Sequence, residues 1–190
     1  MPSTWATSSI LLLGDSVSAS YGMQQNQGWV HLLNKQLTAD NAPYKIVNAS
    51  ISGETTGGGL SRIASVLADR KVDHLIIELG GNDGLRGYSP KKIKNNLLQM
   101  IKIAQQHNIP VSLMKIKITP NYGPRYLKMF EAVFEDVAKE TQTNLLPFFM
   151  EQIALDPTLM QKDGIHPNVK AQPLIAQYVD EQLKLLLKKD

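Results

Sequence analysis

The chain contains no cysteine in its 190 residues. Disulfide staples and thiolate metal sites are therefore excluded, and the redox state of its compartment is left open. Long apolar runs are missing as well. A membrane span needs about 18 consecutive apolar residues, and the longest early run, Ile10-Leu11-Leu12-Leu13, is far shorter. Stable membrane insertion is not expected. A dominant charge sign is also lacking: 20 Lys and Arg against 17 Asp and Glu leave a net charge of +3 and a pI near 9.0. That surplus is too small to argue for a nucleic-acid partner. Its densest run, Lys184, Lys188 and Lys189, reads as a solvated helix end, where the carboxyl-terminal dipole favours positive charge. The opening Met1-Pro2-Ser3-Thr4-Trp5 has neither the charged nor the apolar region of a signal peptide. Two expectations stay open: a cytoplasmic protein, or one whose leader was removed. No internal repeat or low-complexity segment is present.

What is present is ordinary globular composition, 43% hydrophobic and 19% charged, which is too apolar and too weakly charged for disorder. The length suits one domain spanning residues 1–190. Short apolar runs alternate with helical patterns. Ile10 to Leu13, Tyr44 to Val47, Leu75 to Leu79, Val111 to Ile116 and a weaker Leu145-Leu146 read as strands. Their near-continuous apolarity fits a parallel sheet buried on both faces. Trp29 to Leu37, Leu60 to Leu67 after a glycine run, Ile93 to Ala104, Tyr126 to Ala138 and Ala171 to Leu187 have helical spacing. In the last, Leu174, Ile175, Tyr178, Val179, Leu183 and Leu186 form the predicted buried stripe. The expected fold is α/β, a three-layer α/β/α sandwich on about five parallel strands. Functional residues of such folds sit just after the strands.

Four loops meet that condition. Ser16 follows the first strand in Gly14-Asp15-Ser16 and is expected near the start of the next helical segment, its backbone N–H free to meet a developing negative charge. Alone it reads as a helix-cap serine, because a hydroxyl needs a neighbouring base to act as a nucleophile. Near the other end stands Asp163-Gly164-Ile165-His166-Pro167. The spacing of three lets the Asp163 carboxylate fold back onto one imidazole nitrogen of His166 and leaves the other to take a serine proton. Pro167 is expected at an early helical position. A base of this kind must be neutral, so activity is expected to fall on acidification. His31, His74 and His107 read as structural or solvated. Gly53, after the second strand, can present a backbone N–H without a side chain in the way. Asn82, in Gly80-Gly81-Asn82-Asp83-Gly84 after the third strand, offers a neutral donor. Each of these two alone reads as turn chemistry. Together, nucleophile, two oxyanion donors and base describe acyl transfer. No second cluster completes a metal site beside Asp163 and His166.

These blocks resemble the Ser, Gly, Asn and His signature of the SGNH (GDSL-type) hydrolases, with Val17 where many members carry Leu. The segments Ser52-Gly53-Glu54-Thr55-Thr56-Gly57-Gly58, Asn82-Asp83-Gly84-Leu85-Arg86-Gly87, Asn121-Tyr122-Gly123 and Leu146-Pro147-Phe148-Phe149-Met150 are similar to its bacterial thioesterase/lysophospholipase/arylesterase branch. The resemblance implies a flavodoxin-like sheet and an acyl-enzyme on Ser16, with His166 as base and Asp163 as its orienter. It also implies an oxyanion hole of Ser16 N–H, Gly53 N–H and the Asn82 side chain. Small-molecule esters and thioesters (aryl esters, acyl-CoA, lysophospholipids) are the implied substrates, with no metal or organic cofactor and with a periplasmic or secreted location after leader removal. The acyl chain is expected beside the 84–90 and 119–125 loops, lined by Leu85, Tyr88, Tyr122 and Pro124. A monomer is expected. A carbohydrate O-deacetylase on the same fold and a non-catalytic flavodoxin-like binding module are the alternatives.

Overall fold

The computed structural model describes residues 7–187. The opening five residues, Lys188 and Lys189 lie outside the described residues. The chain order is β1 (Ser8–Gly14), α1 (Trp29–Ala39), β2 (Tyr44–Asn48), α2 (Thr56–Ala68), β3 (His74–Glu78), α3 (Gly81–Leu85), α4 (Pro90–Gln106), β4 (Val111–Lys115), α5 (Pro124–Thr141), β5 (Asn144–Pro147), α6 (Met150–Ile153) and α7 (Gln172–Leu187). The five strands form one parallel sheet in the order β2-β1-β3-β4-β5. All five expected strands are present, and the three-layer α/β expectation is met.

The sheet is packed on both faces. Leu12, Ile76, Met114 and Leu146 meet Trp29 of α1 and Tyr178, Val179 and Leu183 of α7. On the other face Leu13 and Leu79 meet Gly59 of α2 and Met100 of α4, and α5 packs beside α4. Neighbouring strand residues thus serve opposite layers, which is why the strands read as unbroken apolar runs. Gln172 ties the first layer together: its buried side chain accepts the Trp29 N–H at 2.9 Å, capping α1 from the start of α7.

Strand order reverses between β1 and β3, the place where open α/β sheets form a crevice. Pairing of Gly14 with Glu78 and of Leu12 with Asn48 brings the segments after β1, β2 and β3 to one edge.

Four expectations are corrected. The helix after the second strand begins at Thr56 and takes in the glycine run instead of following it. Thr55 Oγ1 caps it from the Gly58 N–H at 3.2 Å, and a Cβ at Gly59 would lie 2.4 Å from Leu79 Cδ1. Gly59 lets α2 lie close on the sheet. Leu174 is 47% exposed and leaves the α7 stripe. Pro167 forms an isolated bridge with Met160, and α7 starts only at Gln172. Ser16 opens a run of turns, not a helix. Ala19 N–H reaches Asp15 O at 2.9 Å, but Ser20 at φ 61 breaks the turn before it can propagate.

Candidate active site

The turn after β1 and the loop before α7 meet although 150 residues separate them. Ser16 Oγ lies 2.9 Å from His166 Nε2, and His166 Nδ1 lies 2.7 Å from Asp163 Oδ2. An ionised carboxylate only accepts hydrogen bonds, so Nδ1 carries the ring proton and Nε2 turns its lone pair to the serine hydroxyl. The other oxygen, Asp163 Oδ1, accepts the Ile165 N–H at 2.9 Å and the His166 N–H at 3.0 Å. The carboxylate therefore shapes the loop and orients the ring at once. Burial pushes the Asp163 carboxyl up, but the His166 and Ile165 hydrogen bonds outweigh it and bring it from 3.8 down to about 2. Ser16 is buried, whereas the Asp163 side chain is 37% exposed.

The two expected oxyanion donors are linked to each other and to Ser16 through the adjoining residues Glu54 and Asp15, in the loops after β2 and β1. Gly53 adopts φ +78, and a Cβ there would find no atom closer than 4.0 Å. The need for glycine is conformational, because the left-handed region disfavours side chains. Asn82, in the first turn of α3, donates from Nδ2 to Asp15 Oδ2 and to the Glu54 carbonyl, both at 3.0 Å. These bonds fix it between the residue before Ser16 and the residue after Gly53. Both amide hydrogens are engaged, so donation to a bound oxyanion requires one bond to be exchanged. The composition of Gly80 to Gly84, taken alone, suits a turn. The structure makes it a short helix anchored by Asp83, whose buried carboxylate accepts the Thr56 N–H at 2.8 Å and the Thr56 hydroxyl at 2.6 Å.

Two buried acids with no role expected from the sequence stand beside the site, Asp15 and Glu78. Asp15 holds Val17 N–H at 3.2 Å as well as Asn82. Glu78 Oε2 accepts the Ser18 hydroxyl at 2.8 Å and the Asp15 N–H at 3.3 Å. Burial pushes the Asp15 carboxyl up to about 6, against the pull of Val17, His166 and Asn82. Glu78 is raised well above the usual range by burial and by Asp15. The available signal was an acid standing at the end of an otherwise apolar strand.

Of the expected acyl-chain residues, Leu85 and Tyr122 are joined, the Tyr122 hydroxyl donating to Leu85 O at 2.7 Å. Tyr88 is tied to α5 through the Tyr126 hydroxyl on its carbonyl at 2.7 Å, and Lys92 sits 5.0 Å over its ring. Pro124 is exposed at the first turn of α5. Arg86 Nη2 reaches Gly53 O at 3.3 Å, linking this wall to the oxyanion side. An open groove of about 420 Å³ between Phe149, Ile153, Leu159 and Ile175 contains none of these residues. His31 is exposed, His74 is buried against Ser112 at 2.9 Å, and His107 is exposed at the end of α4. Among the described residues, no three His, Asp or Glu side chains converge in a metal-binding group.

Residues 12–173 match the model of the GDSL-like Lipase/Acylhydrolase family. The chain belongs to that family. It is thus an ester hydrolase of the GDSL-like type. It is 46% identical over 182 residues to the esterase TesA of Pseudomonas aeruginosa, spanning 96% of this chain and 90% of that protein. It is 43% identical over 185 residues to thioesterase 1/protease 1/lysophospholipase L1 of Escherichia coli K12, spanning 97% of this chain and 88% of that protein. The crystal structure of the psychrotrophic esterase EstA from Pseudoalteromonas, inhibited by monoethylphosphonate, superimposes with a TM-score of 0.93 at 47% identity, covering 95% of this chain and 98% of that one. The GDSL-like assignment and the sandwich fold therefore agree.

Proposed function

We propose that this GDSL-like hydrolase cleaves carboxylic esters and thioesters through an acyl-enzyme on Ser16, with aryl esters, acyl-CoA and lysophospholipids as substrate classes. The observation that carries the reading is the continuous chain Ser16 Oγ, His166 Nε2, His166 Nδ1, Asp163 Oδ2, at 2.9 and 2.7 Å. Ser16 Oγ attacks the substrate carbonyl carbon while His166 Nε2 takes its proton. The carbonyl oxygen becomes an oxyanion, met by the N–H groups of Ser16 and Gly53 and by Asn82. The imidazolium, stabilised by Asp163, returns the proton to the leaving alcohol or thiol as the tetrahedral centre collapses. Water then attacks the acyl-enzyme, His166 taking its proton and passing it to Ser16 Oγ as the acid departs.

Leu85, Tyr88, Tyr122 and Pro124 are proposed to border the acyl chain. One domain and one copy of the chain carry the activity in this reading, and export from the cytoplasm is part of it. Sedimentation and cell fractionation test those last two points. No helix among the described residues is long and apolar enough to cross a membrane.

The test of the chemistry is covalent labelling with a fluorophosphonate. Wild type is expected to take one label, as suits a chain similar to an esterase inhibited by monoethylphosphonate. Ser16→Ala is expected to take none and to lose turnover with an unchanged fold. Full esterase activity in Ser16→Ala would place the nucleophile elsewhere. A panel of aryl esters, acyl-CoA thioesters, lysophospholipids and acetylated sugars assigns the substrate class. Selective turnover of the sugars would favour a deacetylase.

A further inference from the structure

The nucleophile's turn and the histidine's loop are bolted together by one side chain. Gln161 Nε2 donates to Tyr21 O at 2.8 Å and to Pro167 O at 3.1 Å. The Gln161 N–H donates to His166 O at 2.7 Å, and its carbonyl accepts the Gly164 N–H at 3.0 Å. All four groups of this residue that can hydrogen-bond face the two segments, and its Oε1 packs against Gly22, where a Cβ would lie 2.5 Å away. The stretch held in this way lays the Tyr21 ring on the His166 imidazole. Their centroids are 4.2 Å apart and their planes are tilted by 34°, a direct face contact between the two rings. Tyr21 is 47% exposed. Core packing therefore does not hold the ring in place, and the backbone bond from Gln161 assumes that task.

We propose that Tyr21 and Gln161 are positioning residues that act through His166: Gln161 locks the Tyr21 backbone to the histidine loop, and the Tyr21 ring fixes the imidazole plane between Asp163 and Ser16. The inference rests on the reading of His166 as base. An aromatic face attracts a cation more than a neutral ring. The contact therefore strengthens as His166 takes the serine proton and becomes imidazolium. An interaction gained on the way to the transition state shows in kcat, whereas one made equally with bound substrate shows in KM. The hydroxyl has no part in this role, so phenylalanine can replace tyrosine.

The experiment is steady-state hydrolysis of a soluble short-chain aryl ester by Tyr21→Phe, Tyr21→Leu, Gln161→Met and the Tyr21→Leu/Gln161→Met pair, with folding checked by circular-dichroism melting. Tyr21→Phe is expected within about 2-fold of wild type. Tyr21→Leu, which keeps apolar bulk and loses the flat face, is expected to lower kcat about 10-fold with KM nearly unchanged. Gln161→Met is expected to lower kcat by about 10-fold as the ring loses its anchor. In the pair the two losses are expected to fall well short of multiplying, because both release the same ring. Equal kcat for Tyr21→Phe and Tyr21→Leu, a loss confined to KM, or fully multiplicative losses would overturn the proposal. Where Gln161→Met does not fold, Gln161→Glu keeps the shape without a side-chain N–H to donate and is judged by the same outcomes. His166→Ala runs beside them. Turnover retained there refutes the base assignment. Turnover lost there, with Tyr21→Leu at wild-type kcat, refutes the clamp alone.

Discussion

Asp163→Asn separates the two tasks of the Asp163 carboxylate. Asparagine keeps an oxygen at the Oδ1 position, where the Ile165 and His166 N–H groups are accepted at 2.9 and 3.0 Å. The loop should survive, and the melting temperature should move little. At the Oδ2 position an amide NH₂ would face His166 Nδ1, which sits 2.7 Å from the present oxygen. Two donors cannot face each other, so the imidazole turns to the opposite tautomer and Nε2 presents N–H, not a lone pair, to Ser16. Restoring the active tautomer forfeits a charge-assisted hydrogen bond, about 1.5–3 kcal/mol, and leaves a donor unsatisfied, about 1–3 kcal/mol. Partial exposure of the Asp163 side chain, 37%, keeps both figures toward their lower ends. The sum, about 3 kcal/mol, corresponds to about 10²-fold in kcat. The assay is aryl-ester turnover at mildly alkaline pH with the burst amplitude recorded, alongside thermal melting. A kcat within about 10-fold of wild type in a folded Asp163→Asn protein would refute the tautomer argument, and with it the assignment of Asp163 as orienter.

Other expected outcomes concern stability. Asp83→Ala strands the buried Thr56 N–H and hydroxyl, at about 3 kcal/mol. Calorimetry should record a fall in Tm of about 6–12 °C, and a shift under about 2 °C would show that water or Asn96 replaces the carboxylate. In α2, two neighbouring glycines should respond with opposite sign. Gly57→Ala meets nothing nearer than 3.7 Å and should stabilise by about 0.5 kcal/mol. Gly59→Ala drives a Cβ into Leu79 and should destabilise by about 1 kcal/mol net of its helix propensity. Denaturant midpoints of the same sign would contradict this packing. Asp15, raised from 3.8 to about 6, keeps a proton in the folded chain that the unfolded chain has already released. Its contribution is present in full below about pH 4 and is lost as pH rises through about 6, with a limit of about 3 kcal/mol. Wild type should therefore lose stability relative to Asp15→Asn over that interval, and a difference that instead grows in favour of wild type with pH would reverse the sign of the assignment.

The strands were legible because burial on both faces makes them apolar throughout, and the parallel three-layer arrangement followed from α/β alternation, whereas the strand order β2-β1-β3-β4-β5 did not. Ser16, Asp163 and His166 were legible as a set because their chemistry needs those types beside strand ends and loops. What stayed hidden arises from contacts between distant segments. Gly57 to Gly59 looked like a loop because helix propensity counts glycine against a helix, and only the closeness of Leu79 explains Gly59. Pro167 looked like a helix start until Met160 paired with it. Glu78 was absorbed into its strand, since nothing local marks that Ser18 and the Asp15 backbone converge on it. Gln161 carries no chemical signature, and its importance depends wholly on where Tyr21 lies.

The separation of the nucleophile from its base along the chain also affects protein synthesis. Ser16 leaves the ribosome early, and His166 follows 150 residues later, about 10–30 s at ordinary elongation rates. Throughout that interval the emerging polypeptide has Ser16 without His166, and for most of it a sheet without β5 (Asn144–Pro147). A truncated product ending before the final loop would be equally inert. On the proposed mechanism, hydrolytic power therefore arrives only once the His166 loop has been made and has closed on Ser16.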